Sequence, residues 1–373
     1  MGGSGAQVLT PDGLQALITL LRDEGYTVIG PTVRDGAIVH AELVSVSQLP
    51  QGVGDAQDNA SYRLRQREDA AWFGYAVGPQ SWKPWLFPAR EPLWSATVDT
   101  EVDVQPTAPE PPRLALLGVR SCDLHAIAIH DRVLADRAVA DTHYVARRQA
   151  TFVVALTCSD PAGTCFCVSM DAGPVPRDGY DLALTELLEG GQHRFVIRAG
   201  SEYGGELLTR LAGELTPAGT DDLDQAEHVG TRAATRMGRT LDRDGIRDLL
   251  YAKAESPRWD EVASRCLACS NCTLVCPTCF CTSIEDSADL TGTTVERTRV
   301  WDSCFTADYS YIHGGSVRMT TGARYRQWAT HKLASWIDQF GTSGCVGCGR
   351  CITWCPAAID LTAEVAALRA EEP

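Results

Sequence analysis

Apolar residues recur at helical spacing in Leu14, Leu17, Ile18 and Leu21, directly after Thr10-Pro11-Asp12. This pattern predicts a helix capped by Thr10 and closed near Gly25. From residue 27 to 47 the period shortens to alternation and breaks at Asp35-Gly36, which predicts a hairpin. Residues 50–60 are polar and predict a loop. Around Trp82, Trp85, Phe87 and Trp94, prolines punctuate an aromatic stretch, which predicts an irregular segment packed on a β-rich lobe. The run Gln105–Pro112 is a proline-rich connector. Beyond it, Leu114–Gly118 and Phe152–Leu156 are short unbroken apolar runs of the buried-strand type. With the helical pattern Asp123–Ala135 between them, they predict a βαβ unit. Residues 171–257 predict mostly helix, with Phe195–Ile197 as a short strand. Ile246–Tyr251 and Trp259–Ser264 predict helices. Tyr325, Trp328, Leu333, Trp336, Ile337 and Phe340 keep helical spacing through 321–340, and their stripe reads as core.

Cysteines change this picture. Cys266-x2-Cys269-x2-Cys272-x3-Cys276-Pro277 is repeated as Cys345-x2-Cys348-x2-Cys351-x3-Cys355-Pro356. This is the ligand spacing of bacterial [4Fe–4S] ferredoxins, in which the fourth cysteine of each run ligates the other cluster. The pattern predicts one cluster on Cys266, Cys269, Cys272 and Cys355, and a second on Cys345, Cys348, Cys351 and Cys276. Structural zinc takes ligands in pairs, and a disulfide scaffold lacks such runs, so both fit less well. The runs stand 69 positions apart, farther than in a minimal β-type ferredoxin. The expected class is therefore α+β: an N-terminal α/β region followed by a mostly helical two-cluster ferredoxin domain. The expected segments are a β-rich lobe over 1–104, an α/β domain with cysteine-rich loops over 105–257, and the ferredoxin domain over 258–373.

Seven of the fifteen cysteines remain. Cys122 and Cys158 follow the two predicted strands, so both are expected at the carboxyl edge of a parallel sheet, where ligands bind. Cys165-Phe166-Cys167 lies one loop further on. These four are candidate ligands of a third [4Fe–4S] cluster, against the alternative of plain buried cysteines. Thr278-Cys279-Phe280-Cys281 echoes Thr164-Cys165-Phe166-Cys167. Cys279, Cys281 and Cys304 are candidates for metal ligation with a non-cysteine ligand, for a site shared between domains, or for a structural role. His125 and His130 are five apart and share no helix face at metal-binding spacing. Gly344-x2-Gly347-x-Gly349 interleaves with cysteines, and no dinucleotide or P-loop fingerprint is present. No flavin or nicotinamide is expected on this chain, nor a catalytic residue.

The formal charge of −15 argues against a nucleic-acid partner. Residues 258–373 carry 10 Lys and Arg against 13 Asp and Glu, so most of that charge lies upstream. Within 297–332 the balance reverses: Arg297, Arg299, Arg318, Arg324, Arg326 and Lys332 face only Asp302 and Asp308. These cations read either as a solvated helical face or as an offset to thiolate-ligated clusters. No leader features and no apolar run of membrane length are seen, which predicts a cytoplasmic protein with no membrane contact.

Gly118-Val-Arg-Ser-Cys-Asp-Leu-His-Ala-Ile127, Cys165-Phe-Cys-Val-Ser-Met170, Cys276-Pro-Thr-Cys-Phe-Cys281, Trp301-Asp-Ser-Cys304 and His331-Lys332 carry a family resemblance over roughly 113–363. The chain resembles the beta (iron–sulfur) subunit of cytosolic NAD(P)-linked [NiFe] hydrogenases, or sulfhydrogenases. It is similar, over the same stretch, to the electron-transfer subunit of anaerobic sulfite reductase. Ser121 stands where the family pattern has proline. The resemblance implies an electron-transfer subunit, itself non-catalytic. Its partners would be the hydrogenase small and large subunits on one side and a flavin, NAD(P)-binding subunit on the other. The alternative is the corresponding subunit of a sulfite reductase.

Overall fold

The computed structural model describes residues 5–99 and 101–371. Met1–Ser4, on which part of the expectation about leader features falls, lie outside the described residues, as do Thr100, Glu372 and Pro373.

An eight-stranded sheet underlies the fold. Its centre is parallel: β2 (Thr27–Arg34), β8 (Leu114–Arg120), β9 (Thr151–Leu156) and β10 (Leu182–Leu187) run the same way. Antiparallel strands finish both sides. These are β3 (Ala37–Glu42) on one, and β11 (Arg194–Ala199), β1 (Gln7–Leu9) and β12 (Leu215–Pro217) on the other. The spatial order is β12-β1-β11-β10-β9-β8-β2-β3. Every residue of β8 and β9 is buried, as expected for parallel strands covered on both faces. The helix Pro11–Asp23 lays Leu14, Leu17, Ile18 and Leu21 on one face of the sheet, and Thr10 caps it by accepting from Gly13 N. Trp82, Leu86, Phe87 and Tyr144 cover the other face.

Segments 1–104 and 105–257 thus contribute neighbouring strands to one sheet. A second sheet ties the N-terminal half to the last third. In it β6 (Arg90–Val98) and β7 (Val102–Pro106) join a hairpin of β13 (Thr282–Ala288) and β14 (Thr294–Trp301), in the order β13-β14-β6-β7. The α+β class stands, with the 4Fe-4S region at its C-terminal end.

Three local expectations change. Residues 50–60 hold β4 (Val53–Asp58), paired with β5 (Ser61–Gln66), rather than a loop. Buried Asp55 and Gln57 hide the strand alternation, because a polar-looking face here points inward. The stretch 171–257 carries β10 and a full-length β11 besides its helices. The ferredoxin region contains the β13–β14 hairpin between its cysteine runs, where mostly polar, partly exposed residues leave no apolar alternation to read.

Arg350, inside the second cysteine run, fastens that run to the α/β core. It is 1% exposed and makes a two-pronged ion pair with Asp123 at 2.9 and 3.1 Å, and also donates to Gly78 O and Gln80 O. Arg350→Met would leave the Asp123 carboxylate buried and unpaired. We expect a loss of about 3–5 kcal/mol, seen as a lower midpoint of anaerobic thermal unfolding. An unchanged midpoint would show that the pair is not what fastens the two parts.

Candidate metal centres

The two cysteine runs fold as the same loop. Each turns left-handed on both sides of its middle cysteine: φ is +50° at Ala268 and +65° at Ser270, and +67° at Gly347 and +75° at Gly349. A one-turn helix follows in each, Asn271–Leu274 and Arg350–Thr353, and carries the third cysteine. The turns aim amides at sulfur: Ala268 N donates to Cys266 Sγ and Gly347 N to Cys345 Sγ, both at 3.4 Å. Ala268 and Ser270 hold this shape without glycine, at about 1–2 kcal/mol each. Gly347 is also needed for space, because a Cβ there would lie 2.6 Å from the Phe166 backbone.

Cys266, Cys269, Cys272 and Cys355 line one cavity with Phe305, Tyr325 and Trp328, and Cys351 lies on its wall. Burial pushes the Cys272 thiol up, and the neighbouring thiols Cys266, Cys355 and Cys269 add to this more than Cys276 does. Burial also pushes Cys345 up to about 12, with Cys348 and Cys276 adding to the shift. It raises Cys351 further, with Cys345, Cys348 and Cys276 as its leading thiol neighbours. The structure thus brings Cys355 to the first run and Cys276 to the second.

Strands β8 and β9 end side by side, so Cys122 and Cys158 emerge on the same carboxyl edge of the sheet. Cys165 and Cys167 return to that edge. Burial raises all four thiols; Cys158 and Cys167 act on Cys165, and Cys167 acts on Cys122. Cys348 neighbours this group too, its carbonyl oxygen lying 3.8 Å from Cys165 Sγ. The echoed Thr-Cys-Phe-Cys segments flank the second loop from two sides. Thr278 Oγ1 donates to Gly344 O at 2.7 Å, and Phe166 N donates to Gly347 O at 2.8 Å.

Cys279 is hydrogen-bonded to Cys276, whose thiol it holds well below its ordinary value together with Lys332. Cys281 and Cys304 pair at the base of the β13–β14 hairpin, where Asp302 N donates to Cys281 O at 2.9 Å. The hydrogen bond from Cys304 lowers Cys281 to about 6. Cys279 neighbours Cys281, Cys281 neighbours Cys304, and the Lys332 ammonium acts on all three; among the described residues, no three His, Cys, Asp or Glu converge as on a single ion, here or in the three groups above. His125 bonds Ser121 O through Nδ1, and His130 is buried and pushed down to about 3 by that burial.

Four Lys and Arg side chains are buried among the described residues: Lys83, Arg120, Lys332 and Arg350. Arg350 has Asp123; the other three have no carboxylate within ion-pair distance among the described residues. An unpaired buried cation costs several kcal/mol, so each requires a counter-charge. Cysteine thiolates ligating a cluster would supply it. Lys332 donates to Cys276 Sγ at 3.1 Å and to Thr278 Oγ1 at 2.9 Å. Lys83 sits over the Trp301 ring at 3.9 Å, donates to Cys279 O at 3.3 Å, and has Cys279 and Cys276 as its leading negative neighbours. Arg120 donates to Thr157 O, Phe73 O and Tyr75 O, with Cys158 its leading negative neighbour. Lys332 projects from a π-helical turn, His331–Ser335, inserted in the helix that runs from Thr321 to Phe340. Of the cations singled out in 297–332, Lys332 alone reaches these sulfurs. Arg297 and Arg299 pair with Asp286 and Asp141, and Arg326 with Glu255. Lys83 and Arg120 escape a sequence reading; the one signal was the position of Arg120, two residues before Cys122.

These residues fit thiolate-ligated clusters. The thiols of the first group surround a cavity rather than a point, and amides and cations face sulfur. Two donors in the first cavity, Tyr325 Oη and Trp328 Nε1, are buried with no hydrogen-bond partner, as donors awaiting acceptor sulfur would be. Loading would displace protons from the raised thiols.

Residues 265–359 match the 4Fe-4S dicluster domain family. The chain is 33% identical over 249 residues to Sulfhydrogenase 2 subunit beta of Pyrococcus furiosus, an alignment spanning 66% of this chain and 72% of that protein. No helix among the described residues is long and apolar enough to cross a membrane. With the duplicated loop, the cysteine-lined cavity and the buried cations in place, the chain belongs to the family of sulfhydrogenase beta subunits and is a [4Fe–4S]-bearing electron-transfer subunit.

Proposed function

We propose that this chain relays electrons, in the cytoplasm, between the small and large subunits of a [NiFe] hydrogenase and a flavin subunit that meets NAD(P). The observation that carries the relay is the succession of three thiol groups. Cys266, Cys269, Cys272 and Cys355 adjoin Cys345, Cys348, Cys351 and Cys276 through Cys351. These in turn adjoin Cys122, Cys158, Cys165 and Cys167 through Cys348. A [4Fe–4S] cluster on each group would supply one-electron storage and transfer. The protein's part is to hold the thiolates, direct Ala268 N and Gly347 N at them, and place Lys332, Lys83 and Arg120 against the accumulated negative charge. Cys279, Cys281 and Cys304 remain as thiols that would take iron only with a ligand other than cysteine, since the three groups use the other twelve of the fifteen. Kinship to a sulfhydrogenase beta subunit favours hydrogenase over sulfite reductase partners.

The test is iron content and company. Anaerobically purified chain should carry about twelve iron atoms with matching sulfide, as three [4Fe–4S] clusters require. Cys167→Ala should carry about eight, since one cluster holds four. Full iron in that variant would remove the third cluster. Purification from its native source should bring down a nickel-containing subunit together with a flavin-containing one. A sirohaem protein in their place would overturn the choice of partners.

A further inference from the structure

The first and second cysteine groups have nearly the same loop, yet the charges packed against them differ in kind. Around the first group the unpartnered donors are neutral, Tyr325 Oη and Trp328 Nε1. Glu364, the carboxylate that acts on that hydroxyl, is already paired with Arg258 and Arg265. Around the second group the donor is an ammonium. Lys332 is 5% exposed, bonds Cys276 Sγ at 3.1 Å, has Cys345 among its neighbours and lacks any carboxylate partner among the described residues. Lys83 adds a second buried positive charge on the Cys276 side. Arg350, next to Cys348, contributes no net charge because Asp123 neutralises it.

Adding an electron to a thiolate-ligated cluster makes it more negative, so a fixed buried cation favours the reduced state more than neutral donors do. Water works the other way for the first group, because Cys269 is exposed and hydration also favours the reduced state. But only that one ligand reaches solvent fully, while the Lys332 ammonium acts through dry interior at direct contact, where charge is least screened.

We propose that Lys332 makes the second-run cluster the electron sink of the pair, with a reduction potential above that of the first-run cluster. This rests on the ligand groups assigned above. The test is an EPR-monitored redox titration of the full chain, purified anaerobically with its clusters. Cys266→Ala and Cys276→Ala variants assign each signal to its run. In the wild type, the signal lost in Cys276→Ala should titrate at the higher potential; equal or reversed order overturns the proposal. Lys332→Met should lower that signal by at least a tenfold change in the reduction equilibrium, about 59 mV for one electron. Lys332→Arg, which keeps the charge, should hold it near the wild-type value, and a matching drop in both variants would assign the effect to packing and overturn the proposal. If Lys332→Met does not retain iron, the wild-type order alone decides. Failure of the ligand assignment looks different: Cys276→Ala would then remove the first-run signal or none.

Discussion

Cys276→Ala should cost the protein its second-run cluster and leave the first-run cluster in place, although Cys276 belongs to the first run in sequence. Alanine is the informative substitute because it cannot ligate, whereas a serine alkoxide can stand in for a thiolate. Position in the fold outweighs position in the chain here. Cys276 closes against Lys332, which also neighbours Cys345, and the thiols that press on Cys345 are Cys348 and Cys276. The first-run cavity meanwhile gets its fourth thiol from Cys355. Iron should fall by about four per chain, one cluster's worth. The EPR signal that survives should be the one that Cys266→Ala abolishes. Survival of the other signal would mean that each run holds its own cluster. The substitution also deprives Lys332 of its sulfur partner, so some loss of stability should accompany it, on the order of a few kcal/mol for a buried charge left alone.

The parts legible in the sequence share a cause. The helix behind Thr10, the turn at Asp35-Gly36 and the unbroken apolar strands Leu114–Gly118 and Phe152–Leu156 are each specified by neighbours along the chain, and the structure shows all of them. The expectation that Cys122 and Cys158 share a sheet edge needed only one further rule, that strands joined by one crossover lie parallel. What could not be read depends on residues far apart in sequence. β6 pairs with β14 across about two hundred positions, and nothing in the composition of either strand names the other. Lys83 looks like an ordinary surface lysine until the hairpin brings Trp301 and Cys279 over it. The stripe of Tyr325 and Trp328 reads as core and is core by burial. That its two polar atoms lack partners becomes visible only once the cysteine cavity is closed around them.

The second large effect concerns the relay itself, and Cys348 is where it should show. This residue is a ligand candidate of the middle group, and its backbone oxygen touches Cys165 of the third, so in the proposed relay the electron path from the first group to the third passes its neighbourhood. With Cys348→Ala, the outer two groups keep all their own cysteines. Electron tunnelling weakens steeply with distance, and removal of the middle cluster leaves a gap the width of a whole ferredoxin loop. In the assembled complex, hydrogen-driven NAD(P) reduction should then fall to background. Hydrogen oxidation with an artificial acceptor at one end should persist, and so should NAD(P)H oxidation with a dye at the other, because neither partial reaction crosses the middle group. Subunit composition must be measured in the same samples, since Cys348 lies two residues from Arg350 and a collapsed loop would also uncouple the ends. Arg350→Met supplies the control: it loosens the same loop without removing a thiol. If it stays assembled, iron-loaded and coupled while Cys348→Ala does not, the loss belongs to the missing cluster. Full coupled activity in Cys348→Ala protein shown to lack that cluster would mean that electrons reach the far side by another route.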